Sequence, residues 1–510
     1  MTDPARSELV VRAADSTIVS LFDARARLHP ARVAVQAGAS RTTYGDLEER
    51  SRRAAGLLAA AGVRRGDRVG LLSENRPEYL EVLLAAGRLG AIVACQSMRA
   101  SDEELAACLD LVAPAVTVAS ERADARYDLF ARPGERIVLG AAYEQALASA
   151  EPWTQPSAAH AEDLAVIIYT SGTTGVPKGA CISHRAEVVR SMATRAELGI
   201  AGDDTFVAWS PLHHMGALDN SVSTLVSGGK VVVVDGFRPD ELADVVAAER
   251  LGWLLVMPGT VARLAQALRA RGTRPAGVRL CGVMPDLVRP EEIAEITSLL
   301  DAPFANTFGA TETGCPPCSA GVIPVGEAPT TFPKEQSGYC EVRLVDPDGR
   351  DVPDGVPGEL CMRGPTLFSG YWNNPEATNA DFRDGWFHMG DVLVREADGR
   401  LTFVDRVKYM IKSGGENIYP AEIERVLLRL PGVLEAGVVR RSDPTWGEVP
   451  VAVVVHAGET SADALQQACR QHLPSYKVPK DIVFAAPGSL PRNPSGKLVR
   501  RELEQLLAER

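Results

Sequence analysis

The segment TSGTTGVPKG at residues 170–179 combines residue types that could hold a phosphate group. Two glycines let backbone N–H groups approach an anion closely, and three hydroxyl groups can donate hydrogen bonds. These residues are Ser171, Gly172, Thr173, Thr174 and Gly175. Lys178 adds a positive charge. The spacing excludes the Walker A motif, which needs four residues between its glycines and Ser or Thr after its lysine. Taken alone, the segment is equally typical of a plain turn.

Two later segments contain single carboxylates in settings that suit a nucleotide. NTFGATET at 306–313 places Glu312 among small and hydroxyl residues. It could bind Mg²⁺, which usually takes one or two carboxylates plus substrate phosphates. GWFHMGDV at 385–392 places Asp391 after a glycine, where its carboxylate could accept both hydroxyls of a ribose. Each segment alone is also compatible with a solvated loop.

Lysine is scarce in this chain, which makes its positions informative. Lysine and arginine total 54, yet only eight are lysine. Four lysines lie in Gly/Ser-containing motifs: Lys178, Lys408, Lys412 and Lys497. A compact, mobile ammonium does different work from a planar guanidinium, so this concentration indicates a function beyond solubility. Ordinary surface charges remain the alternative for Lys408 and Lys412.

Composition excludes several classes of protein. The chain has 510 residues and a net charge of −12, which disfavours a general nucleic-acid binder. No signal peptide or membrane-spanning run is evident, so we predict a cytoplasmic protein. The nine cysteines form no framework. The close pair Cys315 and Cys318 is more typical of ordinary loop thiols than of a metal or redox site.

The elements that must position these residues follow from the hydrophobic pattern. Residues 41–95 and 227–260 alternate helical and strand signals, which predicts an α/β fold with largely parallel sheets flanked by helices. Strands are predicted at 67–73 and 253–258, and a helix at 44–62.

The pattern changes in the last third of the chain. Short strands separated by Pro/Gly turns predict a β-rich subdomain over about 335–405. A loop, a helix and further strands follow from 409. We therefore predict an N-terminal domain at 1–405, a hinge at 406–408 and a small α+β domain at 409–510.

Five motifs follow one another along the chain. They are TSGTTGVPKG at 170–179, NTFGATET at 306–313, GWFHMGDV at 385–392, DRVKYMIKSGGENIYPAEIE at 405–424 and PRNPSGKLVR at 491–500. In this order they resemble the adenylate-forming superfamily, which includes acyl- and aryl-CoA synthetases, over residues 40 to 510. The resemblance implies a large AMP-binding domain and a small mobile lid. It also implies ATP, Mg²⁺ and CoA as cofactor and co-substrates.

The resemblance also implies roles for individual residues. Lys178, Glu312, Lys412 and Lys497 would act in catalysis, and Thr170 with Glu312 would hold Mg²⁺. Lys497 would reach the acyl carboxylate and the α-phosphate. The predicted ATP- and AMP-binding residues are Thr170, Ser171, Gly172, Thr173, Thr174, Gly175, Lys178, Gly309, Thr311, Glu312, Asp391, Arg406 and Lys497.

The second half of the implied reaction transfers the acyl group to a thiol. Lys408 matches the hinge position of the family. The loop that would move in for the CoA step contains Lys412, Ser413, Gly414 and Gly415. An acyl carrier protein is the alternative acceptor, although no carrier domain follows Lys497. A non-catalytic homologue is disfavoured because Lys497 and Glu312 are both present.

The substrate pocket is expected around His214, Met215, Val283, Met284 and Gly309. Amino-acid-activating relatives have an aspartate after a phenylalanine in this region, whereas His213, His214 and Met215 stand here. An unpaired substrate ammonium would be costly to bury. Bulky Val283 and Met284, in CGVMPD, replace the usual small residues, and Met389 replaces the threonine of HTGD.

We therefore predict ATP-dependent activation of a hydrophobic carboxylic acid to acyl-AMP, followed by transfer to CoA. The acid could be fatty, aromatic or otherwise bulky and apolar. The expected setting is fatty acid degradation or natural-product biosynthesis, by a monomer or homodimer.

Overall fold

The computed structural model describes residues 13–128, 135–170, 177–414, 416–492 and 498–508. The chain divides into two compact units. Unit 1 comprises Met1–Glu341 and Arg363–Gly385, and unit 2 comprises Val342–Met362 and Trp386–Arg510.

Helices occur along most of the described chain. They are α1 Ile18–Leu28, α2 Tyr44–Ala60, α3 Pro77–Leu89, α4 Asp102–Val112, α5 Glu121–Asp128, α6 Ala141–Ser149, α7 His184–Leu198, α8 Met215–Ser227, α9 Pro239–Ala248, α10 Val261–Arg271, α11 Pro290–Leu300, α12 Pro375–Asp381, α13 Pro420–Leu428, α14 Ala462–His472 and α15 Arg500–Ala508. Among the described helices, none is both long enough and apolar enough to cross a membrane.

The strands of the first half of the chain are β1 Val33–Ala37, β2 Ser40–Thr43, β3 Arg68–Leu72, β4 Ile92–Gln96, β5 Val116–Ser120, β6 Glu135–Leu139, β7 Leu164–Thr170, β8 Lys178–Ser183, β9 Thr205–Ala208, β10 Lys230–Val233 and β11 Leu251–Trp253. The later strands are β12 Phe304–Ala305, β13 Phe308–Ala310, β14 Gly314–Cys318, β15 Val322–Ile323, β16 Glu341–Val345, β17 Gly358–Arg363, β18 Phe382–Arg383, β19 Trp386–Arg395, β20 Leu401–Arg406, β21 Ile411–Ser413, β22 Glu416–Ile418, β23 Val433–Asp443, β24 Gly447–His456 and β25 Asp481–Phe484.

Unit 1 contains two larger sheets. One has the order β6-β5-β3-β4-β7-β8 and is parallel except for the final antiparallel pair. The other has the order β11-β9-β10-β1-β2 and is parallel except for β2. Strands β4 and β5 are buried throughout, as expected where helices cover both faces of a parallel sheet. The predicted α/β class is confirmed.

Most predicted elements lie where the pattern placed them. Helix α2 begins after Thr43, whose hydroxyl caps it with Asp46, and buries one stripe of residues that includes Leu47 and Leu58. The strand predicted at 253–258 was wrong in position, because β11 ends at Trp253. Leu254 instead forms an isolated bridge to Cys281.

Unit 2 contains two antiparallel-rich sheets. Strands β16, β17, β19 and β20 are neighbours in one of them. The other has the order β22-β21-β24-β23, with β25 added parallel to β24. Of the predicted β-rich segment, residues 342–362 and 386–405 belong to the same unit as residues 409–510, whereas residues 335–341 and 363–385 belong to unit 1. The hinge at 406–408 stays a prediction.

His184, at the start of α7, should make unit 1 sensitive to acid. The side chain is buried and neither ring nitrogen has a hydrogen-bond partner. Burial lowers its pKa from 6.5 to about 4. Between these values the unfolded chain binds a proton that the folded chain does not, so stability falls as the pH falls. At pH 5 we expect a loss of about 2 kcal/mol relative to pH 7.

The urea midpoint of unfolding at both pH values, compared with that of His184→Leu, measures this contribution. The variant should lose less stability on acidification than the wild type. An equal acid sensitivity of the two proteins would contradict the assignment.

Candidate active site

The predicted phosphate loop connects two paired strands. Strands β7 and β8 are antiparallel, and Thr170 lies opposite Lys178 in their register. Both residues are half-buried at the end of this hairpin. Residues 171–176, which include Ser171, Gly172, Thr173, Thr174 and Gly175, lie outside the described residues. The two ends of the segment, Thr170 and Lys178, therefore lie next to each other.

Lys178 and Glu312 are brought together by two residues that the sequence analysis did not identify. The hydroxyl of Tyr371 lies 3.1 Å from Glu312 Oε1 and 3.0 Å from Asp381 Oδ2. Lys178 Nζ lies 3.5 Å from the same Asp381 oxygen. It also stands 4.4 Å from the centre of the Tyr371 ring, which is a cation–π distance. Lys178, Glu312, Tyr371 and Asp381 thus form one network in unit 1, which we call the Tyr371 network.

The electrostatics of this network follow from its composition. Burial and the two carboxylates raise the pKa of Tyr371, so the phenol keeps its proton at neutral pH. A phenol has a single proton to donate, so it can serve one of the two carboxylates at a time. The network therefore combines two acidic side chains with one lysine, which is a donor set suited to Mg²⁺ and phosphate.

Glu312 is held by the backbone around it. It lies in the turn between β13 and β14, and its carbonyl accepts a hydrogen bond of 2.8 Å from the Phe368 N–H. Gly309 lies so close to the partner strand that a Cβ would come within 2.0 Å of the Gly314 oxygen. Only glycine permits this approach, which is a structural reason for Gly309 beside its predicted role.

The sequence did carry a signal for Tyr371 and Asp381. They lie in SGYWNNPEATNADF at 369–382, where Asn374 caps α12 and Pro375 occupies its first position. Gly370 has φ +102°, and Thr378 packs against it. The Gly-Tyr pair before a helix that begins with proline indicates a fixed turn at this position.

The two predicted pocket segments both lie against residues 253–257. A Cβ on Gly216 would stand 3.7 Å from Leu255 Cδ1 and 3.8 Å from Met257 Cε. The Val283 N–H donates to the Val256 carbonyl at 3.3 Å. The Met215 and Val283 segments therefore share one apolar neighbour, and Leu255 and Met257 are additions to the predicted pocket.

The turn at Val283 and Met284 has a specific cause. Gly282 has φ +75°, and a Cβ there would lie 2.1 Å from the Phe304 ring. Met284 also adopts a left-handed conformation, with φ +51°, which is uncommon for a side chain of its size. The Trp253 indole N–H donates to the Gly282 carbonyl at 2.9 Å and holds the turn in place.

The two histidines differ in environment. His213 is buried, whereas His214 is exposed at the start of α8, and their rings are 4.5 Å apart. Burial, with smaller contributions from the neighbouring cationic groups, lowers the pKa of His213 well below its usual range. His213 is therefore neutral at physiological pH, whereas His214 is exposed to solvent.

In unit 2, the predicted ribose-binding pair is in direct contact. Asp391 on β19 lies opposite Arg406 on β20, and Arg406 Nε is 2.8 Å from Asp391 Oδ1. Glu359 supports the segment directly before Asp391, because its carboxylate lies 3.0 Å from His388 Nδ1 and accepts the Gly390 N–H at 3.2 Å. Neither of these hydrogen bonds involves Met389. Glu359 and His388 were not identified from the sequence.

The predicted CoA-step loop is a hairpin formed by β21 and β22. Lys412 lies opposite Asn417 and its side chain is exposed. Ser413 is buried, and Gly415 lies outside the described residues. Gly414 donates to the Trp446 carbonyl at 2.8 Å, and a Cβ there would stand 2.7 Å from the Trp446 ring. Lys408 is exposed in a short 3₁₀ turn at 407–409.

Replacing Lys412 by alanine should slow thioester formation while leaving pyrophosphate release nearly unchanged. The side chain is exposed on the hairpin, so its loss should not unfold unit 2. Acyl-CoA formation from a supplied acyl-AMP, measured beside pyrophosphate release, tests the division. Glu416→Ala, also exposed on this hairpin, is the control. A larger loss in pyrophosphate release than in thioester formation would contradict the assignment.

The remaining predictions concern Lys497, the pair Cys315 and Cys318, and the metal. Lys497 lies outside the described residues, although Arg492 and Leu498 on either side of it form an antiparallel bridge. Cys315 and Cys318 are free thiols on β14. Among the described side chains, no group of three or more His, Cys, Asp and Glu is arranged to hold a metal ion. A Mg²⁺ held by Glu312 and Thr170 together with substrate phosphates needs no such group.

Comparison with known proteins identifies the family. The model of the AMP-binding enzyme family matches residues 22–372, and that of its C-terminal domain matches 422–497. Feruloyl-CoA synthase from Amycolatopsis is 36% identical over 94% of this chain and 97% of that protein. A 2-succinylbenzoate–CoA ligase from Bacillus cytotoxicus is 33% identical over 95% and 98%.

Solved structures agree with these matches. o-Succinylbenzoate CoA synthetase from Bacillus subtilis, in complex with its acyl-adenylate, superposes with a TM-score of 0.82 at 27% identity, covering 96% of this chain and 98% of that one. ATP-bound MatB from Rhodopseudomonas palustris gives 0.83 at 27% identity, covering 96% and 99%. The predicted superfamily and enzyme class are confirmed. The chain therefore belongs to the adenylate-forming superfamily of AMP-binding enzymes, in its branch of AMP-forming carboxylic acid–CoA ligases.

Proposed function

We propose that this ligase activates a bulky hydrophobic acid, and that an aromatic acid is its preferred class. The observation that carries this proposal is that the partly exposed side chains of the neighbouring pocket segments are all apolar, namely Met215, Met257, Val283 and Met284. Apolar surface of this kind favours a ligand that buries hydrophobic area. The names of the two relatives, a feruloyl-CoA synthase and a 2-succinylbenzoate–CoA ligase, support an aryl acid before a fatty acid.

An amino acid is a poor candidate for this pocket. Asp219 is the nearest acid after Met215 along α8, and its carboxylate is already paired with Arg190 at 3.3 Å. His213 is neutral and cannot balance a cation. A substrate ammonium would therefore enter a site with no carboxylate ready to receive it, which is costly.

The proposed reaction has two steps. A carboxylate oxygen of the acid attacks the α-phosphorus of ATP and pyrophosphate leaves, which gives acyl-AMP. The thiol sulfur of CoA then attacks the acyl carbon, its proton is lost to solvent, and AMP leaves with the bond electrons. Lys178 and the segment at 170–179 would hold the departing phosphates, and Asp391 with Arg406 would bind the ribose.

The first step brings two anions together, and positioned cations offset the repulsion between them. Lys497 would contact the carboxylate and the α-phosphate, because charge stabilisation and positioning supply most of the catalysis in phosphoryl and nucleotidyl transfer. Glu312, with Thr170, would hold Mg²⁺, which supplies neutralisation of phosphate charge when bound. Lys412 would serve the CoA step. An acyl carrier protein as acceptor is not favoured, because the relatives are CoA ligases.

The test is pyrophosphate release over a panel of acids, each with and without CoA, together with mass-spectrometric detection of acyl-CoA. The panel should contain hydroxycinnamic, benzoic, medium-chain fatty, dicarboxylic and amino acids. We expect the highest kcat/KM with an aromatic acid and a thioester only when CoA is present. Higher kcat/KM with fatty acids would overturn the aromatic preference, and pyrophosphate release without a thioester would overturn CoA as acceptor.

A further inference from the structure

Unit 1 contains a buried cluster of charged side chains near the Tyr371 network. Glu187 and Arg190 lie on α7, and Asp219 lies on α8. Glu187 is 1% exposed and Arg190 is 2% exposed. We call these three residues the Arg190 cluster. None of them lies in a recognised motif, and none has a role in the reaction as described above. Charged groups at this depth are rarely retained without partners or a task.

The guanidinium of Arg190 connects three parts of unit 1. It donates to the Thr311 carbonyl at 3.0 Å and to the Thr366 carbonyl at 2.9 Å. It also pairs with Asp219 Oδ2 at 3.3 Å. The rigid fork of an arginine can reach such separated acceptors at once, whereas a lysine ammonium cannot reproduce the geometry.

Two of these contacts lie close to the backbone of Glu312. Thr311 is the residue directly before Glu312, and Thr366 begins the segment in which the Phe368 N–H donates to the Glu312 carbonyl. The stem of Arg190 also fills the space beside Gly314, where an added Cβ would lie 2.9 Å from Arg190 Cγ. Arg190 therefore holds the backbone on both sides of the Tyr371 network.

The charge balance of the cluster depends on Asp219. The Glu187 carboxyl group lies beside that of Asp219, and a hydrogen bond joins the two only when one of them is protonated. Burial and the Asp219 carboxylate raise the pKa of Glu187 well above its usual range. A protonated Glu187 donates a hydrogen bond to Asp219, and Asp219 remains the single negative charge opposite Arg190. The cluster is then neutral overall, as a buried ionic group needs to be.

We infer that Arg190 is a positioning residue for the adenylation step, because its bonds to Thr311 and Thr366 fix the orientation of the Glu312 carboxylate. Asp219 holds Arg190 in place and connects it to α8, whose first residue follows His214. The inference rests on the proposed role of Glu312 in binding Mg²⁺. A displacement of about 1 Å at a reacting centre can lower a rate about 100-fold.

The test compares the two half-reactions in Arg190→Lys. We expect pyrophosphate release to slow by at least about tenfold, with a raised Mg²⁺ requirement, because positioning is lost while the charge remains. Thioester formation from supplied acyl-AMP should stay within about threefold of the wild type, because that step does not use the Glu312 site. A fold defect would slow both steps.

Arg195→Lys is the matched control. Arg195 lies on the same helix and donates to Ser223 Oγ at 2.9 Å, to the Ala201 carbonyl at 2.6 Å and to Thr224 Oγ1 at 3.5 Å. These three bonds involve neither Thr311 nor Thr366. Arg195→Lys should leave the Mg²⁺ requirement unchanged. Glu187→Gln should also be mild, because a neutral amide replaces a neutral acid, whereas Asp219→Asn should resemble Arg190→Lys.

Three results would overturn the inference. They are an unchanged rate of pyrophosphate release in Arg190→Lys, an equal loss in both half-reactions, or the same Mg²⁺ shift in Arg195→Lys. Failure of the proposed function is recognised separately, because the wild type would then release no pyrophosphate with any acid. In that case, calorimetric titration of Mg·ATP into wild type and Arg190→Lys decides the question, and equal affinities would count against the inference.

Discussion

Glu312→Gln is expected to lower the rate of pyrophosphate release by about 100- to 1,000-fold, an effect typical of removing one electrostatic stabiliser from an active site. Glutamine keeps the shape of the side chain and removes the charge that would hold Mg²⁺. The Glu312 carbonyl, which accepts the Phe368 N–H, is a backbone group and is unaffected. The loss should therefore be chemical rather than a failure to fold.

The rate should be measured over a range of Mg²⁺ concentrations, with thioester formation from supplied acyl-AMP recorded in parallel. Tyr371→Phe is the control within the same network, because it removes the shared hydroxyl and leaves both carboxylates. We expect it to cost only a few-fold in rate, in line with about 1 kcal/mol for one hydrogen bond. Wild-type rates in Glu312→Gln would exclude this residue as the metal ligand.

Lys497→Ala is expected to reduce adenylation by about 1,000-fold or more, because its ammonium would offset the repulsion between the carboxylate and the α-phosphate. Thioester formation from a supplied acyl-AMP should remain close to that of the wild type, since the new P–O bond already exists in that substrate. The contrast between the half-reactions is therefore the diagnostic result.

Lys480→Ala provides the control, because Lys480 is an exposed lysine of the same unit and has no predicted part in either step. Pyrophosphate release and acyl-CoA formation should both be measured for the two variants. An equal loss of both half-reactions in Lys497→Ala would refute the assignment. A loss of adenylation in Lys480→Ala would show that general charge, rather than position, is responsible.

Features that depend on residues close in the sequence could be predicted, whereas features that depend on residues distant in the chain could not. The α/β class, α2 and β3 follow from hydrophobic periodicity and capping, which act between residues a few positions apart. The boundary of β11 was misplaced because an apolar run does not show where strand pairing ends. That end is decided by contact with Cys281, a residue far along the chain.

The same reasoning explains what was found and missed in the candidate site. Glu312, Lys178 and Asp391 could be identified because each lies in a short segment of distinctive composition. Tyr371 and Asp381 contribute through atoms that meet Glu312 and Lys178 only after folding. Their own segment indicates a fixed turn and a helix start, but it does not indicate which residues these side chains contact.

The sequence by itself determined the superfamily, the order of its motifs and most of the helices and strands, because these depend on local patterns and on residue types that the chemistry requires. Only the tertiary structure decided which side chains share a site. It placed Asp219 opposite Arg190 rather than open to a substrate amine, and it buried Glu187 beside Asp219, which raises the pKa of Glu187. The physical reason is that partner choice and burial, which set charge states and hydrogen bonds, are properties of neighbours distant in the chain.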